Sequence, residues 1–413
     1  MGFDQEATPP ILQPLVITSN PNTPHLSSNL KTFANVFIAI VGAGVLGLPY
    51  AFKRTGWVTS ILIIVPVAAL TYHCMMLLVS TRRKLEQEKA EKITSFGDLG
   101  FAVCGLFGRA AVDFMIVFSQ AGFCVGYLIF IGNSLANLYY NLMLENPKTV
   151  FIWACFPFQL ALNSISTLTH LAPLSIFADV VDLAAMGMVM VEDVSVFLQT
   201  KPPVHPYGDL STFLYGVGVA VYAFEGIGMV LPLESEMKKK QSFGTILALS
   251  MSFITLMYAS FGLLGYFAFG ENTKDIITAN LGKGLISSSV QLGLCVNLFF
   301  TFPLMMNPVY EVVERRFSRG RYCLGLRWGL VTGVSLVAVL IPNFADFLSL
   351  VGSSFGCALA FVLPALFHMM VFWEEVGVMG LASDGLIVLL GVLFGVSDSG
   401  TFCSLQEMFS VKF

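Results

Sequence analysis

Charged residues are scarce in this sequence: Lys, Arg, Asp and Glu make up 12% of 413 residues, while hydrophobic residues make up 56%. An ordinary soluble domain carries about 25% charged residues, so the chain reads as an integral membrane protein. An excess of positive charge is also missing. The net charge is −4 and no RNA- or DNA-binding motif occurs, which excludes nucleic acid as a partner. The 8 cysteines form no CxxC pair and no Cys/His cluster at metal-ligand spacing, so neither a metal site nor a disulfide framework is expected. Cys74, Cys124, Cys155, Cys295 and Cys357 fall inside apolar stretches and read as small core hydrophobes. No nucleophile, metal-ligand or phosphate-cradle motif is present, which argues against an enzyme and against a bound cofactor.

The opening segment lacks an apolar core of signal-peptide length. Being polar and rich in Pro and Ser, it is expected to be no cleavable leader but a disordered cytosolic tail over residues 1–30. A transporter domain over 31–400 and a short luminal tail over 401–413 complete the expected organisation. No Asn-x-Ser/Thr acceptor occurs, which is compatible with an internal membrane.

Apolar runs, by contrast, are abundant. A bilayer-spanning helix needs about 20 mostly apolar residues. Windows of that kind lie near 33–53, 57–80, 109–131, 149–165, 171–191, 211–232, 243–269, 286–306, 325–342, 345–370 and 381–397, eleven in all. Lys and Arg set the orientation. On the side of the N-terminus lie Lys31, Arg82, Arg83, Lys84, Lys89, Lys92, Arg109, Lys238, Lys239, Lys240, Arg315, Arg316, Arg319, Arg321 and Arg327, a total of 15 of the 22 basic residues. The N-terminus is therefore expected in the cytosol and the C-terminus in the lumen.

Two of the windows are irregular. Ile40 to Phe52 reads IVGAGVLGLPYAF, with Gly42, Gly44, Gly47 and Pro49 close together, and the sixth window carries VYAFEGIGMVLP, with Gly226, Gly228 and Pro232 near Glu225. Lipid offers no partner for a freed peptide group, so such interruptions need a reason. Two Gly/Pro-interrupted segments at corresponding places in two halves are a pointer to the substrate site of a secondary transporter. Five crossings separate their starts, so they run in opposite directions. Windows one to five and six to ten then form an inverted repeat, with the eleventh added. Half-helix N-termini present free amides, and unwound carbonyls present the opposite polarity, a pair that matches the carboxylate and ammonium of an amino acid. The amides near Gly44 and Val45 would hold the carboxylate, and the carbonyls from Tyr222 to Gly226 the ammonium. The alternative is that these glycines only allow tight helix packing.

Acids inside apolar segments are costly and are functional candidates by default. Glu225 lies within the second irregular stretch, and Asp179 and Asp182 share a helix face in the fifth window. Burial disfavours the charged form of a carboxyl, so each is a candidate proton carrier, with a structural plug as the alternative. His73 reads as a packed or interfacial residue rather than a relay, and Asp113 as a solvated helix end. Tyr127 would place a hydroxyl near a bound solute or pack. Asn297 and Thr301 would line a pathway, coordinate an ion, or join helices.

The motifs GAGVLGLPYAF with the following KRTGW, FEGIGMVLPLESEM at 224–237, LAPLSIFADVVDLAAM at 171–186 and MNPVYEVVE at 306–314 resemble the amino acid/auxin permease family, in particular its vacuolar amino-acid transporter branch. The resemblance covers nearly the whole chain after residue 30. It implies an all-α LeuT-like fold of eleven transmembrane helices, ten in an inverted repeat plus one, with helices one and six broken. It further implies proton-linked transport of neutral amino acids across a vacuolar or lysosomal membrane. Carried over by motif, Gly42, Ala43, Gly44 and Val45 match the carboxylate-binding turn, and Phe224, Glu225 and Gly226 the opposing break. Some proton-coupled relatives have a histidine where Asn35 stands, which argues against proton coupling through that position. A sodium-coupled transporter with ligands around Thr301, a facilitative transporter, and an amino-acid-sensing receptor on the same fold are the competing expectations.

Overall fold

The computed structural model describes residues 27–89, 92–139, 145–165, 172–282 and 284–397. Most of the expected cytosolic tail and all of the expected luminal tail lie outside the described residues. The described chain starts at Ser27, whose amide donates to the Glu236 carbonyl at 2.8 Å while its own carbonyl accepts from the Lys238 amide at 3.2 Å. Ser28 then caps α1 (Asn29–Ile40), its hydroxyl accepting the Lys31 amide at 3.4 Å.

Helical hydrogen bonding stops at Ile40. Val41 and Gly42 are extended, a 3₁₀ turn runs over Ala43–Gly47, and α2 (Leu48–Thr55) restarts with a proline in its first turn, where the missing amide costs nothing. The two parts are bent by 50°. Then follow α3 (Trp57–Lys89), α4 (Phe96–Leu138), α5 (Pro147–Asn163) and α6 (Ala172–Thr200). A kink in α4 falls at Cys104 and Gly105. The chain stops again after α7 (Leu210–Ala223), passes a 3₁₀ turn at Ile227–Met229, and resumes as the short α8 (Val230–Ser235). Next come α9 (Phe243–Phe269), α10 (Leu285–Phe317), α11 (Leu324–Leu340) and α12 (Phe344–Val351). Two π-helical stretches, Gly352–Gly356 and Ala358–Val362, lead into α13 (Leu363–Val371), and α14 (Val378–Ser397) closes the described chain.

The fold is all-helical; the single β-bridge among the described residues joins Ser27 to Met237. Among the described residues, seven helices are long and apolar enough to cross a membrane, or eight with the bent pair taken as one span; α11 is apolar but shorter. The core lies where α2, α7, α9 and α12 meet. Phe52 of α2 is fully buried against Gly262 of α9, and Pro49 sits against Gly265. α7 approaches α12 and the following π-helical stretch at backbone distance: a Cβ on Gly218 would lie 2.5 Å from the Ser349 carbonyl oxygen. Ser349 also donates to the Tyr215 carbonyl at 3.1 Å. Small residues permit this closeness between helices in lipid.

Gly218→Ala should therefore destabilise the protein by about 1–3 kcal/mol, because the backbone it meets cannot give way. Gly187 of α6 has nothing within 4 Å of its Cβ position. Gly187→Ala should be neutral or slightly stabilising, since Ala is the better helix former. Thermal unfolding of both variants in detergent checks the pair; equal stability would show that the α7 to α12 contact is slack.

Candidate functional site

The two places where helical bonding stops lie against each other. In the first, the Val41 amide makes the last helical bond, to the Phe37 carbonyl at 2.9 Å, and the Val45 amide donates to the Gly42 carbonyl at 3.3 Å. Of the two amides expected to face a carboxylate, that of Val45 is therefore bonded within the turn, whereas that of Gly44, with its neighbour Ala43, opens the turn and has no intrahelical acceptor. Gly42 and Gly44 differ in surroundings. The Cβ position of Gly42 has one neighbour within 4 Å, the Tyr127 hydroxyl at 3.9 Å, whereas that of Gly44 lies 2.9 Å from the Cα of Ala223. Gly44 is thus a packing contact with α7, and Gly42 borders open space.

In the second, the Phe224 amide donates to the Ala220 carbonyl at 3.0 Å, the Glu225 amide to the Tyr222 carbonyl at 3.4 Å, and the Met229 amide to the Gly226 carbonyl at 3.1 Å. The Cβ position of Gly226 is 2.7 Å from Cγ1 of Ile40, so this glycine seats the second interruption on the end of α1. Glu225 is 8% exposed, and its Oε1 has no hydrogen-bond partner. The Tyr222 ring meets Phe123 edge-on at 4.5 Å, and its hydroxyl also has no partner. Of the residues expected at the site, Gly42, Ala43, Gly44, Val45, Tyr127, Tyr222, Phe224, Glu225 and Gly226 all lie at or beside the two interruptions.

Sequence reasoning missed Tyr258 of α9. Its hydroxyl is 3.0 Å from the Ala223 carbonyl oxygen and 3.3 Å from that of Ile40, so it reaches the ends of both α7 and α1. The available signal was a lone tyrosine in an apolar helix, which does not say where its hydroxyl goes.

Among the described residues, Asp182 and Asp193 of α6 make no hydrogen bond to either turn. Asp182 bonds to the Asn297 side chain, whose Oδ1 accepts the Thr301 hydroxyl at 3.0 Å, giving a polar chain between α6 and α10. Asp182 also acts electrostatically on Tyr258. Asp179 lies on α6, but its side chain is outside the described residues. Asp193, unnoticed in the sequence, is 0% exposed and neither of its oxygens has a hydrogen-bond partner. His73 faces outward from α3. Asp113 is not a merely solvated end: Arg315 donates to it at 2.6 Å and ties α10 to α4.

Ion pairs stand at either end of α3, on opposite sides of the two turns. At one, Arg54 donates to Asp346 at 2.7 Å and lies 4.1 Å over the Tyr215 ring. At the other, Arg82 and Arg83 share Glu234, and Arg82 also donates to the Leu231 carbonyl at 3.0 Å. A cavity of about 410 Å³ opens beside Arg83, Lys84, Phe372 and Glu375. None of its lining residues belongs to either turn, and the convergence of amides, carbonyls and Glu225 at the turns is the better candidate for the site.

Comparison with known proteins gives the family and the fold. The family described as transmembrane amino acid transporter protein matches residues 25–397. The chain is 65% identical to amino acid transporter AVT3C of Arabidopsis thaliana, over 94% of this chain and 93% of that protein. It is 63% identical to AVT3B of the same plant, over 99% and 100%, and 38% identical to amino acid transporter ANT1, over 90% and 91%. Among solved structures, it is similar to Mhp1, a nucleobase-cation-symport-1 family transporter in a closed conformation with bromovinylhydantoin bound. That match has a TM-score of 0.57 at 13% identity and covers 93% of this chain and 94% of that one. It is also similar to MhsT in complex with L-phenylalanine, with a TM-score of 0.50 at 12% identity, covering 92% and 99%. These two likenesses give the fold, a LeuT-like helical membrane transporter. The family match and the close relatives give the rest: the chain belongs to the transmembrane amino acid transporter family and is a multi-pass amino acid transporter, not an enzyme.

Proposed function

We propose that this protein moves neutral amino acids across the vacuolar membrane by alternating access, coupled to a proton carried by Glu225. The observation that carries this reading is the meeting of two interrupted helices with an acid whose Oε1 has no partner in the second of them. A zwitterion fits that polarity. The free amides of Ala43 and Gly44 would take the carboxylate, with Gly42 leaving room for it and Tyr127 bordering the space. The carbonyls from Tyr222 to Gly226 would take the ammonium. Neutrality of the side chain follows from the surroundings, where Val45, Phe224 and Ile227 are buried and apolar. A proton-loaded Glu225 is uncharged and crosses a low-dielectric site more readily than a carboxylate. Asp182 and Asp179 are the alternative carriers.

In this reading the eleven apolar windows are eleven crossings, the first and sixth broken, arranged as an inverted repeat of five and five plus one. The transporter domain is then residues 31–400, with residues 1–30 and the basic loops in the cytosol and residues 401–413 in the lumen. The 15 basic residues assigned to one side support the orientation. The vacuolar placement rests on the resemblance of the two glycine-rich motifs and of residues 171–186 to that branch.

Three outcomes follow. Gly42→Ala should fold with normal stability, because the added methyl meets only the Tyr127 hydroxyl, yet weaken substrate binding roughly tenfold by filling space beside the carboxylate, the effect of losing about one good contact of 1.4 kcal/mol. Uptake kinetics and thermal unfolding measured together separate binding from folding. Glu225→Gln should abolish uphill accumulation driven by a pH gradient in proteoliposomes while sparing exchange. One pH unit is worth about 1.4 kcal/mol per proton, so a gradient of about two units supports roughly hundredfold accumulation in the wild type. Wild-type accumulation in the variant would transfer the role to Asp182. Finally, Glu88→Cys should react with an impermeant thiol reagent only from the cytosolic face; reaction from the lumen would reverse the topology.

A further inference from the structure

Tyr258 is fully buried, and its ring lies 5.1 Å from that of Phe224. Its hydroxyl sits 3.0 Å from the Ala223 carbonyl oxygen and 3.3 Å from the Ile40 carbonyl oxygen. Ala223 and Ile40 are the last residues of α7 and α1. The final carbonyls of a helix have no amide donor of their own, and they carry the negative end of its dipole. Two such ends meeting in a dry interior make a place for positive charge, and half-helix carbonyl ends are where broken-helix transporters hold their coupling cations. Here the chain supplies a hydrogen-bond donor from α9 instead.

We propose that Tyr258 is a positioning residue for transport: its hydroxyl joins the carbonyl ends of α1 and α7, filling the place that a bound metal cation would otherwise occupy. The inference rests on the reading of the two interruptions as the transport site. A hydroxyl has one hydrogen for two acceptors. The shorter bond to Ala223 is the firmer, and the longer one to Ile40 is the one that yields when α1 moves. Gly42, extended and unencumbered, lies two residues beyond that end as a pivot. Movement of α1 therefore needs no ion to leave.

The full chain in proteoliposomes tests this, with radiolabelled L-alanine as probe. With the pH gradient held fixed, replacing sodium by choline on both sides is expected to leave wild-type uptake unchanged; uptake that falls with sodium overturns the proposal. Tyr258→Phe keeps the ring against Phe224 and removes only the hydroxyl. Val36→Cys, on α1 and buried, should then be labelled roughly fivefold faster by an impermeant thiol reagent in the Phe variant than in the Tyr parent, the shift expected from losing one hydrogen bond. The reagent is applied from the side on which residue 88 is reached, and the rate is taken over the background of the native cysteines. Val67→Cys, buried in α3, should be unaffected. Equal labelling of Val36→Cys with and without the hydroxyl overturns the proposal, and so does an equal rise at both positions, which would mean general loosening. Should the Phe variant not fold, the sodium replacement on the wild type decides. Absence of L-alanine counterflow in the wild type counts against the transport reading alone, since the labelling comparison needs no substrate.

Discussion

Lipid cannot hydrogen-bond to a peptide group, and this constraint governs the structure more than any single contact. A helix that stops inside the membrane exposes amides on one side of the gap and carbonyls on the other, each costing several kcal/mol if left bare. The chain stops at Ile40 and at Ala223, so two sets of bare groups must be answered from within the protein. Placing the two stops against each other lets one answer serve both. Gly44 against Ala223 and Gly226 against Ile40 bring the turns into contact, and the Tyr258 hydroxyl then reaches both carbonyl ends. Among the described residues the Ala43 and Gly44 amides, which open the first turn, have no intrahelical acceptor, and they are the groups proposed for a ligand.

The two layers of ion pairs differ in what they can tolerate. Arg54 and Asp346 are partly exposed, with side chains 37% and 18% accessible, so their pairing is weak and easily exchanged for water. Arg82 and Glu234 are 1% and 0% accessible. Separating a pair buried to that degree strands a charge and costs about 3–5 kcal/mol. The end of the molecule around α8 is consequently bolted to α3 through Arg82, Arg83 and Glu234, with the Leu231 carbonyl as a further anchor. Among the described residues α1 has no buried ion pair of this kind: beyond the Ser27 to Met237 bridge and the charge of Lys31 acting on Glu236, it is held by apolar packing, such as Phe37 against Phe253, and by the Tyr258 bond. Rigidity is thus unequal between the two interrupted segments.

Much of this was legible in the residues, and the rest was not for definite reasons. Low charge and long apolar runs announce an all-helical membrane protein, and clustered Gly and Pro mark the two stretches in which the helices stop. The motifs at 42–57 and 224–237 name the family, to which the matching over residues 25–397 assigns the chain. Glycine alone, however, does not say whether it makes room for a ligand or for a neighbouring helix. Gly42 and Gly44 are two positions apart in one motif and have opposite surroundings, open space and the backbone of α7, a difference that only the position of α7 reveals. Arg82 and Glu234 are far apart in sequence, so positive charge that reads as a topology signal proves to be half of a buried pair. Asp113 was misread for the same cause, its partner Arg315 lying on α10. Asp193 was overlooked because the fifth apolar window ends at residue 191, whereas α6 runs on to Thr200 and buries Asp193 within it.

On the proposed role of Tyr258, the strength of its hydrogen bond limits how the site would work. A net hydrogen bond is worth about 0.5–1.5 kcal/mol, which biases a two-state equilibrium by roughly two- to tenfold. An interaction of several kcal/mol at this place would hold α1 shut in every cycle, and no interaction would leave the Ile40 carbonyl bare in a dry interior. A single shared hydrogen falls between these limits. In the proposed movement of α1, the hydroxyl would keep its shorter bond to Ala223, so α7 would be satisfied in both arrangements and only the Ile40 carbonyl would need a new donor. The ammonium of a bound amino acid is a donor of the right charge for that end of a helix. Occupancy of the site by substrate would then replace the bond that the movement breaks, and the empty site would be the state that Tyr258 holds closed.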